Sequence, residues 1–86
     1  MTPTFRAGIR VALKKGVTDP EGKSTHKALE LLGFRDVRGV AAERLYAVEL
    51  AARSEEDARR QGDEIARRLL ANPVIHEYTI TVEKVR

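Results

Sequence analysis

The sequence contains no cysteine and no tryptophan, one methionine, three prolines, and only four aromatic side chains: Phe5, Phe34, Tyr46 and Tyr78. Without cysteine there are no disulfides, no thiolate catalysis and none of the usual zinc sites, and a reducing cytoplasm becomes the expected compartment. No apolar run approaches the roughly 20 residues needed to cross a bilayer. The opening Met1-Thr2-Pro3-Thr4-Phe5-Arg6 lacks the apolar stretch of a signal peptide. A soluble protein with no membrane partner is therefore expected. The scarcity of aromatics also weighs against nucleic acid. Net charge is +3, yet bases and acids interleave, as in Glu55-Glu56-Asp57-Ala58-Arg59-Arg60. A nucleic-acid surface gathers its basic residues into one stripe beside rings that stack on bases. No nucleic-acid partner is expected.

What is present suits one small domain spanning residues 1–86. The chain is 42% hydrophobic and 34% charged, a globular composition with a modest core. Domains of this size bury a limited fraction of their surface, so a subunit interface is a natural supplement to stability.

Periodicity then orders the elements. Phe5, Ala7, Ile9, Val11 and Leu13 alternate with Arg6, Gly8, Arg10, Ala12 and Lys14, the period of two of a half-buried strand. After a loop at Gly16 and Thr18–Gly22, helical spacing of Thr25, Ala28, Leu29 and Leu32 predicts a helix over Ser24–Leu32. Asp19-Pro20 and Ser24 are competing start signals for it. Gly33 is placed to end it in the left-handed conformation, with Phe34 folding back toward Leu29. Strands are expected at Val37–Ala42 and Leu45–Ala52, joined by a hairpin at Glu43 and Arg44. In the second of these, Tyr46, Val48, Leu50 and Ala52 share a face. Ser54 and Asp57 match a capping box. From there Ala58, Gly62, Ile65, Ala66, Leu69 and Leu70 form the apolar stripe of a second helix, which Asn72-Pro73 ends. A last strand, Ile75–Val85, turns Tyr78, Ile80 and Val82 one way.

The order is β-α-β-β-α-β, and each strand has one apolar and one more polar face. That predicts an α+β, ferredoxin-like sandwich: a four-stranded antiparallel sheet with both helices on one face. The other face, carrying Arg6, Arg10, Glu49, Thr79 and Thr81, is left for water or a partner.

Catalytic groupings are not legible. Ser24 and Ser54 sit where helix caps are expected, and neither His26 nor His76 has a partner motif. Gly22-Lys23-Ser24 resembles the end of a phosphate-binding loop, but the glycine needed five positions earlier is Val17. A helix start flanked by lysines could still hold an anion, although a plain loop and cap explains the same residues. The carboxylates of Asp19 and Glu21, and of Glu55–Asp57, suit turn and cap chemistry. No catalytic residue, no cofactor and no metal is assigned to this chain.

Two segments go beyond a generic pattern. Leu13-Lys14-Lys15-Gly16-Val17-Thr18-Asp19-Pro20-Glu21-Gly22-Lys23 runs into Ala28-Leu29-Glu30-Leu31-Leu32-Gly33-Phe34, and Leu69-Leu70-Ala71-Asn72-Pro73-Val74-Ile75-His76-Glu77-Tyr78 comes later in the chain. With the length and element order, they resemble PurS, the small-subunit family of phosphoribosylformylglycinamidine synthase. The resemblance runs from Phe5 to Val85. It implies a non-catalytic assembly subunit in purine biosynthesis, a homodimer or dimer of dimers bridging a glutaminase and an ATP-dependent synthetase subunit. Such a subunit supports passage of ammonia between them, with ATP and Mg on the synthetase partner. The central segment departs from the family's short Val-Arg-x-Gly-Lys hairpin, since Val37-Arg38 continues into Gly39–Arg44. His76 stands where an acidic residue is common. The Asp19-Pro20-Glu21-Gly22 loop is the candidate partner-contact element. The alternatives are a stand-alone ferredoxin-like ligand-binding or regulatory module, an RNA-binding domain of this topology, and a small hydrolase. The last two lack, respectively, strand aromatics on the open face and a nucleophile–base pair.

Overall fold

The structure, a computed structural model, describes residues 2–85. The first alternating run forms β1 (Thr4–Leu13), with Phe5, Ala7, Ile9 and Val11 buried. It is the central strand of an antiparallel sheet ordered β2-β1-β3, where β2 is Arg44–Ala51 and β3 is His76–Lys84. Because register preserves the period of two, apolar residues meet in rows across the inner face. Ile9 lies between Tyr46 and Ile80, and Ala7 between Val48 and Val82. On the outer face Arg6 lies between Glu49 and Glu83 and pairs with both at 2.8 Å.

The second helix, α2 (Glu55–Ile65), begins as expected: Ser54 Oγ accepts from the Asp57 amide at 3.1 Å. The reciprocal arm of the box is displaced by one residue, since Asp57 Oδ2 accepts from Arg53 N rather than Ser54 N. Ala58, Gly62 and Ala66 are buried at four-residue spacing, and these small side chains let the helix lie close on β1. The expected stripe then breaks. Residues Ala66–Leu70 are π-helical, and Ala71 N donates to Ala66 O at 2.9 Å, five residues back. One extra residue in the turn rotates the side chains beyond it. Leu70 and Ala71 therefore face the core, while Leu69, expected in the stripe, is 80% exposed.

The first helix, α1 (Pro20–Leu31), starts four residues earlier than expected. Asp19 is its N-cap and Pro20 its first residue, where a missing N–H costs nothing. Ser24, the competing cap, lies inside the helix. The C-terminus is as expected: Gly33 has φ +99°, its amide donates to Glu30 O, and Phe34 N donates to Leu29 O at 3.0 Å.

Two expectations about the sheet are corrected. The strand expected at Val37–Ala42 and its hairpin do not form, so among the described residues the sheet has three strands, not four. Segment 37–42 runs back along α1 instead, because that helix satisfies its polar groups: Val37 O accepts from His26 Nε2 at 3.0 Å, and Ala42 N donates to Asp19 Oδ2 at 2.9 Å. Nor do both helices cover one face. Helix α2 lies over β3 and β1, whereas α1 has no comparable packing against any strand or helix among the described residues. With its return segment it projects as an arm, and the molecule extends 54 × 28 × 15 Å.

Candidate functional site

The Asp19-Pro20-Glu21-Gly22 loop is the joint between arm and sheet. The Asp19 carboxylate holds two segments at once: Oδ1 accepts from Gly22 N, inside the first turn of α1, and Oδ2 accepts from Ala42 N, on the return segment, each at 2.9 Å. These amides, Ala42 first, keep the Asp19 carboxyl below the ordinary aspartate range, with the nearby Lys23 charge adding to them. Gly22 is buried because nothing larger fits. A Cβ there would lie 2.5 Å from both Asp19 Oδ2 and Val40 O. The Asp-Pro-x-Gly run thus reads as a clamp: carboxylate cap, preset first residue, then a residue without a side chain under the returning segment.

Pro20 and Glu21 are exposed, with Glu21 in the first turn near the positive end of the helix dipole. Together with Asp19 they form one wall of a cavity of about 320 Å³, whose other wall includes Val11, Tyr46, Leu70 and His76. Gly22-Lys23-Ser24 does not hold an anion through the Gly22 amide, since the Asp19 carboxylate already occupies that donor.

The second motif is a turn wired to itself and to β1. Asn72 Oδ1 accepts from Val74 N, Asn72 O accepts from Ile75 N and His76 N, and Asn72 N donates to His76 Nδ1. Lys14 ties the turn to the end of β1, through Nζ to Pro73 O at 2.6 Å and through its amide to Ile75 O at 2.8 Å. Neither histidine meets a serine hydroxyl among the hydrogen bonds of the described residues, and no three His, Asp or Glu side chains gather there as metal ligands.

Sequence reasoning did not find the polar and apolar features that distinguish the surface. Tyr78 OH donates to Asp63 at 2.7 Å and Arg67 Nε to the same carboxylate at 2.8 Å. Those bonds, Tyr78 first, hold Asp63 below its usual range. The i,i+4 spacing of Asp63 and Arg67 was a legible signal for half of this group. Apolar side chains stand uncovered at the tip of the arm, with Leu31 81% and Leu32 73% exposed and Phe34 beside them. The surface combines exposed apolar side chains with hydrogen-bonded polar groups.

Known proteins give that surface a context. The PurS family model, described as phosphoribosylformylglycinamidine (FGAM) synthase, matches residues 6–84. A relative from Archaeoglobus fulgidus, the phosphoribosylformylglycinamidine synthase subunit PurS, is 47% identical over 74 residues, 86% of this chain and 92% of its own. The crystal structure of Methanocaldococcus jannaschii PurS, one of the subunits of formylglycinamide ribonucleotide amidotransferase, superimposes with a TM-score of 0.86 at 39% identity, covering 95% of this chain and 99% of that one. A chain in the structure of PurLQS from Thermotoga maritima is similar at a TM-score of 0.82 and 26% identity, covering 96% and 99%.

Proposed function

The chain belongs to the PurS family, the small-subunit family of phosphoribosylformylglycinamidine synthase in purine biosynthesis, and on that premise we propose that it acts as a homodimeric scaffold within that glutamine-dependent, ATP-using ligase. As a single cytoplasmic domain it bridges the glutaminase and synthetase subunits, the kind of assembly named PurLQS in Thermotoga maritima. ATP and Mg belong to the synthetase partner. The small subunit contributes contact surface, holding the two large subunits so that ammonia passes between them without escaping into water. The Asp19–Gly22 joint sets where the arm meets its partners.

The observation that carries this reading is the shape of the chain. A compact chain of this length has a radius of gyration near 12 Å; this one has 16.6 Å. Its accessible surface is 6753 Å², whereas a compact monomer of this mass exposes roughly 5,100 Å². Surface in such excess, tipped with Leu31, Leu32 and Phe34, is what an assembly subunit presents before assembly. Reconstitution tests the function. Glutamine-dependent synthesis and co-sedimentation of the large subunits should both require this chain, and an unchanged rate and an unchanged complex without it would refute the proposal.

A further inference from the structure

The outer face of the sheet, away from α2, carries two features that suit contact with another protein. The first is its low centre. Gly8 stands in the middle of the central strand, flanked in register by Ala47 and Thr81. Glycine weakens a strand interior, and there it marks places where a ligand or another backbone comes close. Gly8 is not among the glycines of positive φ, so backbone conformation does not call for it. A Cβ at Gly8 would lie 2.7 Å from Thr81 Oγ1, which leans over the glycine and donates to its carbonyl at 3.4 Å. Leu45, 72% exposed, borders the same spot. The long side chains are drawn aside: Arg6 is held in its own row by Glu49 and Glu83, and Arg10 Nε reaches Glu43 at 3.3 Å, toward the far end of β1.

The second feature is the sign of the charge. On this face Glu43, Glu49, Glu77 and Glu83 stand against Arg6 and Arg10, a net charge of −2 on a chain whose net charge is +3. Both arginines are already paired, while Glu77 has no ion-pair partner among the described residues. We infer that this face docks a large subunit of the enzyme through a flat, basic patch. Lys or Arg side chains of that patch meet Glu49, Glu77 and Glu83, and its centre lies on Gly8, Ala47 and Leu45. The inference rests on the assembly-subunit reading and adds the surface through which one large subunit is held. Charge selects this occupant. A second copy presenting the same face would set −2 against −2, and like charges brought together oppose association. A basic protein surface gains instead. Arg6 occupies one oxygen of Glu49 and one of Glu83, so both carboxylates are held in place with acceptor capacity to spare for a partner's donors. Acceptors fixed beforehand cost less to order on binding.

The test measures binding of the full chain to the glutaminase and synthetase subunits, each alone and both together. Ala47→Arg raises a long cation beside Gly8, and Ala47 is exposed, so the fold should tolerate it. Its affinity for one large subunit should fall roughly tenfold or more. Glu77→Lys is the second variant. It is exposed and breaks no ion pair, so it keeps the inference testable if Ala47→Arg folds poorly. It should slow association with the same subunit and flatten the loss of binding as salt rises. Glu56→Lys, exposed at the start of α2, should bind as the unmodified chain does. Sedimentation of each isolated variant runs in parallel. If Ala47→Arg and Glu77→Lys bind both large subunits as tightly as the unmodified chain, the docking face is overturned and the assembly reading stands. If Ala47→Arg changes only the oligomeric state of the isolated chain, the face joins copies of this chain and the inference is equally overturned. An unmodified chain that binds neither large subunit overturns the assembly reading, and the docking face with it.

Discussion

Alanine at Gly22 and alanine at Gly62 are the same chemical change in two helices, and the structure gives them opposite signs. Each substitution removes a glycine from a helix, a gain of up to about 1 kcal/mol from backbone entropy and propensity. Neither glycine is among those with positive φ, so the helical backbone accepts alanine at both. The difference lies in what the new methyl meets. At Gly62 it would stand 3.4 Å from Ala7 Cβ and 3.6 Å from Ile80 Cγ2, ordinary contact distances that add packing. The expected outcome is stabilisation of roughly 0.5–1 kcal/mol and a melting temperature higher by about 2–8 °C for a domain this size.

At Gly22 the methyl would lie 2.5 Å from Asp19 Oδ2 and equally close to Val40 O. Rotating the Asp19 side chain relieves only the first contact, because the second is backbone. Overpacking of this kind costs about 1–3 kcal/mol and outweighs the propensity gain. The loss falls on the joint, so it should appear as faster amide exchange at Ala42 and Lys23, and as a weaker dimer, with a smaller effect on the strands. Thermal melts and residue-resolved hydrogen exchange of the two variants give both readings. The reasoning fails if Gly22→Ala raises the melting temperature as Gly62→Ala does, or leaves exchange at Ala42 unchanged.

Stability should also fall in acid. The carboxyls of Asp19, Asp57 and Asp63 are all held below the ordinary aspartate range, Asp19 by the amides of Ala42 and Gly22, Asp57 chiefly by Arg60, and Asp63 chiefly by Tyr78. A depressed folded-state value stabilises the fold above the unfolded pKa of about 3.9 and stops doing so as pH drops through the folded one. Urea midpoints should therefore hold from neutral pH to about pH 5 and decline below pH 4; Asp63→Asn should flatten part of that decline, and a midpoint independent of pH would refute the assignment. Ile9 is fully buried between Tyr46 and Ile80. Ile9→Ala should cost about 2–5 kcal/mol, seen as a lower urea midpoint with an unchanged slope.

The three strands that form, the C-terminal end of α1 and the start of α2 were legible because they rest on local physics. Period-two alternation placed Phe5, Ala7, Ile9 and Val11 inward, and the same rule oriented Tyr46, Val48 and Leu50 on β2 and Tyr78, Ile80 and Val82 on β3. Ser54 and Gly33 announced helix ends through hydrogen bonds spanning only a few residues. Asp19 was visible as one of two candidate caps. That its second oxygen reaches Ala42, 23 residues on, was not. This long-range bond is the reason segment 37–42 runs along α1 rather than joining the sheet, and no short-range pattern encodes a choice between two partners far apart in the chain. The π-helical segment is similar: an α-helical projection puts Leu69 in the core, and only the fit of Leu70 and Ala71 against Ile9 and Val11 selects the extra residue. By itself, then, the sequence determined which side of each of these strands is apolar, where α1 ends and α2 begins, and which family the chain resembles. Tertiary structure alone decided that α1 leaves its own sheet, since that depends on how the Asp19 clamp directs the helix and on the uncovered surface it leaves behind.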